Sequence, residues 1–471
     1  MRNYQLGHGK WVFLDWMGIE PGYGTAWGGA ITDGFCVPEG VELRAHRPAV
    51  SWEPVICSDR PWENIRLASY ATFLEDEGRF RCWYLTTWGE HGRETGAQLA
   101  YAESTDGVTW EKPSLGISEF NGSTANNLVG VYMDHVFKDP NAPAAERYKA
   151  VGCSWSSENR GVTGAVSPDG LHWKYCDDLI LPRNNADTQN IVQFDDILGR
   201  YVLYTRQKDG VMQRRGINRS ESDDFFHFPP TEPIYESTPL DPPDWDLYSS
   251  GYARWPGAVD AHVMRLSIYQ HTRDTVNTHL ATSRDGKIWH RPLGRQPWID
   301  GEEAYPHPYH SLYACAGILP TRPGEWSTYL GAHYRAHNET ELPQDAPEGG
   351  LLRAVSREDG FMSLSSDGHG RVWTIPFILD ADTIRVNART RHSGYLRCEL
   401  LAAGTGDTGT AVTFGTTLPG FTLADCHPIA GDHLDTPLTW SGSDNLSALR
   451  GKSVRLRIEL YKADLFALKF G

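Results

Sequence analysis

Residues 104–110 read STDGVTW. Taken alone this is an ordinary turn, in which Asp can bond its own backbone and Gly can take a positive φ without a Cβ penalty. The spacing Ser-x-Asp-x-x-x-(Trp/Phe) returns, however, as SPDGLHW at 167–173, SDDFFHF at 222–228 and SRDGKIW at 283–289, with a degenerate copy starting at Ser356. A period of about sixty residues is too long for solenoid coils and suits a four-stranded sheet with its turns. Five starts predict five such sheets.

A second motif keeps step with the first. An Arg-aromatic pair opens an apolar run at Arg79-Phe80, Arg147-Tyr148 and Arg200-Tyr201, each roughly twenty residues before the Ser of its turn. Upstream of it, apolar runs such as ASYATFL and QNIVQF end in the acidic or Gly-containing turns EDEG and DDILG, which is the pattern of a hairpin. The unit therefore reads as hairpin, third strand, Ser-x-Asp turn, and an aromatic that returns to cover the sheet. Asp106, Asp169, Asp224 and Asp285 are scaffold in this reading.

The composition agrees. With 471 residues the chain can hold two domains, and 47 Gly, 29 Pro and 17 Trp suit many short strands joined by turns. A net charge of −16 argues against nucleic acid or an anionic membrane as partner and is compatible with a neutral sugar. The N-terminal MRNYQLGHGKWVFLDW has no apolar segment of signal-peptide length, no later run approaches a membrane span, and eight Cys are scattered without a zinc-type spacing. The expectation is a cytoplasmic protein with free thiols; the oligomeric state stays open.

After about residue 378 the repeat stops. SVRLRIELY alternates strictly, with Val454, Leu456, Ile458 and Leu460 on one face and Arg455, Arg457 and Glu459 on the other. The expected organisation is thus all-β: a five-bladed β-propeller over 1–378, carrying the catalysis, followed by an accessory β-sandwich over 379–471.

Five repeats, the S-x-D-x-x-x-W turn and the C-terminal sandwich together resemble the furanosidase-type five-bladed propeller glycoside hydrolases, the invertase-like and arabinanase/xylosidase-like enzymes. The resemblance implies an axial funnel lined by the first residues of each innermost strand, with carboxylates from different blades as acid, base and stabiliser. Glycoside cleavage calls for such groups around an oxocarbenium-like state. FKDP at 137–140 imitates the family's stabiliser motif, but hairpin alignment puts Asp139 in an outer turn with Asp195 and Glu75, away from the funnel. The family's first-blade and Glu-Cys motifs are absent.

Candidate carboxylates lie where inner strands begin: Asp187 in NNADTQN, Asp134 in YMDHVF, Glu63 in RPWENIR and Asp246 in PDWDLYSS. Arg66, Gln189, Trp245, Tyr248, His307 and His310 are the candidate sugar contacts. No cofactor is required by this chemistry; a structural Ca²⁺ on the axis would use oxygen ligands of the same kind, so a metal is left undetermined. Two other functions remain open. A glycoside phosphorylase needs a cationic phosphate pocket, for which Arg66, Arg206, Arg254 and His310 are candidates, and a carbohydrate-binding propeller needs aromatic platforms such as Trp245, Trp255 and Trp298.

Overall fold

The computed structural model describes residues 6–20, 38–90, 93–154, 160–184, 186–207, 214–339, 349–403 and 415–471. Among them the protein is all-β, its helical content limited to three-residue 3₁₀ turns. The chain divides into two compact units: residues 47–254 with 262–357, and residues 1–46, 255–261 and 358–471. The division falls at 357/358, not at the expected 378, because Met362–Trp373 pairs with the C-terminal strand Ser453–Phe470.

The larger unit repeats one plan. Sheet I holds Arg66–Asp76, Arg79–Glu90 and Arg93–Ser104. Sheet II starts with His135–Lys138, Tyr148–Ser154 and Gly161–Ser167, and sheet III with Ile191–Asp195, Arg200–Gln207 and Gly216–Ser222. Two further groups, of four and five strands, form one sheet through the parallel pair Val276–Ser311. Group IV runs from Trp245–Ser249 through His262–Gln270 to Thr275–Ser283. Group V contains Ser311–Ala314, Glu325–His333 and Gly350–Arg357, and its outermost strand is Ala49–Cys57, from before sheet I in the chain.

The register explains why the two motifs keep step. Phe80 lies opposite Ser104, Tyr148 opposite Ser167, and Tyr201 opposite Ser222, so each aromatic is the cross-strand partner of the turn's first residue. Each turn is the same small network. Ser104 Oγ accepts from the N–H of Asp106 and Gly107, and Asp106 Oδ1 accepts from Val108 and Thr109 at 2.8 and 2.7 Å. Asp169 and Asp285 repeat it on Leu171 and His172, and on Lys287 and Ile288.

The glycine carbonyl of the turn is then bound by an aromatic from a different sheet. Tyr329 donates to Gly107 O at 2.6 Å, Trp83 to Gly170 O at 2.6 Å and Tyr204 to Gly286 O at 3.0 Å. The motif therefore ties sheets to one another as well as closing its own. The copy at Ser356 departs from the others: Asp359 belongs to the smaller unit, where it accepts from Lys10 Nζ at 2.9 Å and Trp255 Nε1 at 3.0 Å.

Hydrogen bonds link each group to the next, and the last to the first. Thr72 Oγ1 meets His135 Nδ1 at 3.0 Å and His135 Nε2 meets Val192 O at 2.9 Å. Thr188 donates to Tyr248 O, Ala314 N to Ser267 Oγ, and Ala316 N to Ala71 O. His135 is neutral in this position, burial pulling it down to about 4.

The smaller unit is built on one eight-stranded antiparallel sheet in which Ile384–Ala402 and Ser453–Phe470 are the long central strands. Val454, Leu456, Ile458 and Leu460 are buried as the alternation predicts. The opposite face is a row of ion pairs: Arg455 with Glu20, Arg457 with Glu399 and Glu459, Arg397 with Glu459. The seven described cysteines form no disulfide, and five of them are buried; Cys36 lies outside the described residues.

Candidate functional site

Several strands of the larger unit send side chains to one place. Tyr70 and Tyr313 meet edge-on with ring centroids 6.2 Å apart, and Tyr248 lies 5.9 Å from Tyr313. His337 stands 4.9 Å from Tyr248 and 4.5 Å from Tyr269, with its Nδ1 2.5 Å from the Tyr313 hydroxyl. Arg206 lays its guanidinium 4.7 Å over the Tyr248 ring, a cation–π arrangement. Its Nη2 is 3.0 Å from Asp187 Oδ2. The Arg206 side chain is fully buried and that of Asp187 is 34 % exposed, so the pair spans from core to surface.

Asp187 owes its exposure to the turn it sits in. Asn190 Nδ2 donates to Ala186 O and Thr188 O, its Oδ1 accepts from the Thr205 hydroxyl at 2.6 Å, and Gln189 Nε2 donates to Ala71 O and Asp134 O. Ala186, Thr188, Gln189 and Asn190 are thereby all turned inward and buried. Asp187 alone in this run faces outward.

Asp134 fixes the turn from beneath. Its Oδ1 accepts from Asn190 N at 3.0 Å and its Oδ2 from Asn190 Nδ2 at 3.2 Å. Burial pushes the Asp134 carboxyl well above the usual carboxylate range, Asn190 opposes the shift, and the charge of Asp187 adds to it. Asp134 is only 3 % exposed and its carboxylate is committed to Asn190, three residues after Asp187. Around the aromatic cluster, burial holds His333 well below its ordinary value and His337 at about 4, with Arg66 reinforcing both shifts. Both imidazoles are neutral near pH 7.

The other expected residues take different parts. Glu63 is fully buried, accepting from Tyr84 OH at 2.8 Å and from the backbone of Asp59 and Arg60, and it pairs with Lys112 at 2.8 Å. Its charge is spent inside the core. Asp246 is held by Arg215 at 2.7 Å and His271 at 2.8 Å, and reaches the cluster through them: the Arg215 guanidinium lies 5.4 Å from the Tyr248 ring and the His271 ring 4.4 Å from that of Tyr269. Gln189 is a buried tie between strands, and Trp245 packs edge-on against His279.

His310 contributes its carbonyl to Val276 N, while His307 stands exposed at 6.4 Å from Tyr334. Arg254 pairs with Asp196 and Asp195. Asp139 is buried against Lys149 and Tyr201. Of the expected contacts, Tyr248 lies in the cluster and Arg66 acts on it electrostatically.

Tyr70, Tyr313, His333 and His337 were not singled out in the sequence. Tyr70 and Tyr313 are hidden in apolar runs that read as plain core strand, but GAHYRAHNE, with two histidines around an arginine at the end of a strand, was an available signal. Among the described residues no group of three or more His, Cys, Asp or Glu is placed to hold a metal ion, and no helix is long and apolar enough to cross a membrane.

No family model matches the chain. An uncharacterized protein of Mycobacterium tuberculosis is 31 % identical over 159 residues, which is 32 % of this chain and 49 % of that protein. The match thus spans about half the length of the curated relative. Among solved structures, a β-1,2-mannobiose phosphorylase from Listeria innocua is similar at 12 % identity and a TM-score of 0.47, over 68 % of this chain and 98 % of the other. A thermostable family-43 glycoside hydrolase has 13 % identity and a TM-score of 0.45, over 63 % and 92 %. The catalytic domain of an α-L-arabinofuranosidase from Coprinopsis cinerea has 13 % identity and a TM-score of 0.44, over 66 % and 97 %. The distant resemblance to glycoside hydrolases read from the sequence recurs in these likenesses.

Proposed function

We propose that the larger unit is a five-bladed β-propeller whose axial pocket cleaves a glycosidic bond, with Asp187 as the catalytic carboxylate, and that the smaller unit is an accessory β-sandwich. The hydrogen bonds that pass from sheet I through group V and back support the propeller, as does the completion of group V by Ala49–Cys57. Register breaks at Asn387/Ala388 and Thr390/Tyr395 give the long sheet of the smaller unit places to fold over.

The observation that carries the function is Asp187: an outward carboxylate clamped by a fully buried Arg206, set among aromatic rings on which a sugar can lie. In this reading the Asp187 carboxyl gives its proton to the leaving oxygen as the C1–O bond breaks, and the water that attacks C1 returns a proton to Asp187. Tyr70 and Tyr248 bound the sugar site.

One observation favours a second attacking group. Glu63, Asp134 and Asp246, the other candidate carboxylates, are all committed to other partners, which leaves the attacking group to another source. Among the described residues no acidic side chain pairs with Arg66, which acts on the neutral His333 and His337. Orthophosphate held at Arg66 would then attack C1, forming a sugar phosphate while Asp187 gives its proton to the leaving alcohol. Turnover of a panel of aryl glycosides and disaccharides, with and without orthophosphate, separates the two. Free sugar without phosphate identifies a hydrolase. Sugar phosphate, with KM for phosphate raised about tenfold or more in Arg66→Gln, identifies a phosphorylase. Binding without turnover of any glycoside by wild type overturns both in favour of a carbohydrate-binding propeller.

A further inference from the structure

Group IV carries a second deeply buried arginine that this site does not use. Arg265 lies in His262–Gln270, four residues before Tyr269 of the aromatic cluster, and is 1 % exposed. Its Nη1 donates to Gly317 O at 2.8 Å, while Nε and Nη2 have no hydrogen-bond partner. The other deeply buried arginines Arg206, Arg219 and Arg455 each face a carboxylate within 3.1 Å: Asp187, Glu221 and Glu20. Arg265 has none. The one ionisable neighbour whose charge it feels is Cys315, and burial raises that thiol to about 12, so it is uncharged near neutral pH.

Burial also pulls Arg265 down to about 10, which still leaves the guanidinium protonated at pH 7. A buried cation without a counter-charge is among the most costly features a core can hold. Two other buried donors nearby in the chain are also unmet: the hydroxyls of Ser249 and Ser250, on the segment leading into Gly251, whose carbonyl accepts the Arg265 N–H.

We infer that Arg265 holds a small monovalent inorganic anion of the halide class inside the larger unit, through its Nε and Nη2. The size follows from the walls. Ala314, Cys315, Ala316 and Leu266 are each at most 2 % exposed. At Gly251 and Gly317 a Cβ would come within 2.4 Å of Arg265 O and 2.0 Å of Phe73 O, so backbone is closely approached on both sides. Walls this close exclude a sugar or a phosphate ester, so the counter-charge the guanidinium calls for has to be a small ion.

The test uses the full chain at constant ionic strength, exchanging sodium gluconate for sodium chloride or bromide. The thermal midpoint of wild type should rise with the logarithm of halide concentration, as for any ligand that binds the folded state alone. Arg265→Met, apolar and of similar length, should lose that rise. A wild-type midpoint indifferent to halide, or a rise that persists in Arg265→Met, overturns the inference. If Arg265→Met does not fold, crystals of wild type grown in bromide decide: an anomalous peak within about 3.5 Å of the guanidinium supports the site, and its absence overturns it.

Discussion

The repeated turns and the aromatic cluster around Asp187 lie in the same unit and are built by opposite rules. Each turn is local: Ser104, Asp106 and Gly107 satisfy one another within a few residues, and the same bonds recur at 167 and 283. The cluster is assembled from Tyr70, Asp187, Arg206, Tyr248, Tyr313 and His337, no two of them in one recognisable motif. Repetition marks what holds the sheets together. The proposed site sits where the repeats differ.

This contrast can be broken most sharply at Asp187. Asp187→Asn is nearly isosteric, so turnover of a good substrate should fall by about a hundredfold or more while the thermal midpoint stays near that of wild type. A variant that keeps most of its activity would remove the cluster from catalysis.

At the turns the effects should appear in stability alone. Gly107 has a φ of +69°, and a Cβ there would lie 2.3 Å from Thr321 Cγ2, so Gly107→Ala should cost about 2–3 kcal/mol in denaturant unfolding and leave KM unchanged. An equal loss in kcat/KM beyond the loss of folded protein would show that turn and cluster are coupled.

Acid should unravel the unit through its buried histidines. His279 has neither ring nitrogen hydrogen-bonded, and burial pulls it down to about 3; His262 is held at about 4 for the same reason. The unfolded chain binds these protons first, so stability is complete above the ordinary histidine value near 6.5 and is lost as pH falls from there toward 3–4. His279→Met should flatten the pH dependence of unfolding by up to one proton, about 1.4 kcal/mol per pH unit. An unchanged slope would place the acid sensitivity elsewhere.

The smallest effect belongs to Asp106→Ala. Two backbone N–H groups lose their acceptor, but both lie at an exposed turn where water can replace it, so about 1 kcal/mol is expected and no change in activity. A large loss of turnover would return the Asp turns to the list of catalytic candidates.

The turns were legible because their hydrogen bonds close within a few residues and leave a spacing in the chain; the lockstep of Phe80 with Ser104 was legible for the same reason, one hairpin of fixed length. The alternation of Val454 to Leu460 announced a strand with one buried face. Asp187 could be singled out because inner strands begin at polar residues. That Glu63 would be neutralised by Lys112, 49 residues further on, that Asp246 would serve Arg215, and that Tyr70 would leave the core to meet Tyr313 depended on which strands become neighbours. Sequence by itself determined the repeat, the strands and the turns, since these are set by short-range bonding and periodicity. Which carboxylate stays open and which is consumed was decided only by tertiary structure, because a buried charge takes its partner from whatever the fold brings within a few ångströms, however distant it is along the chain.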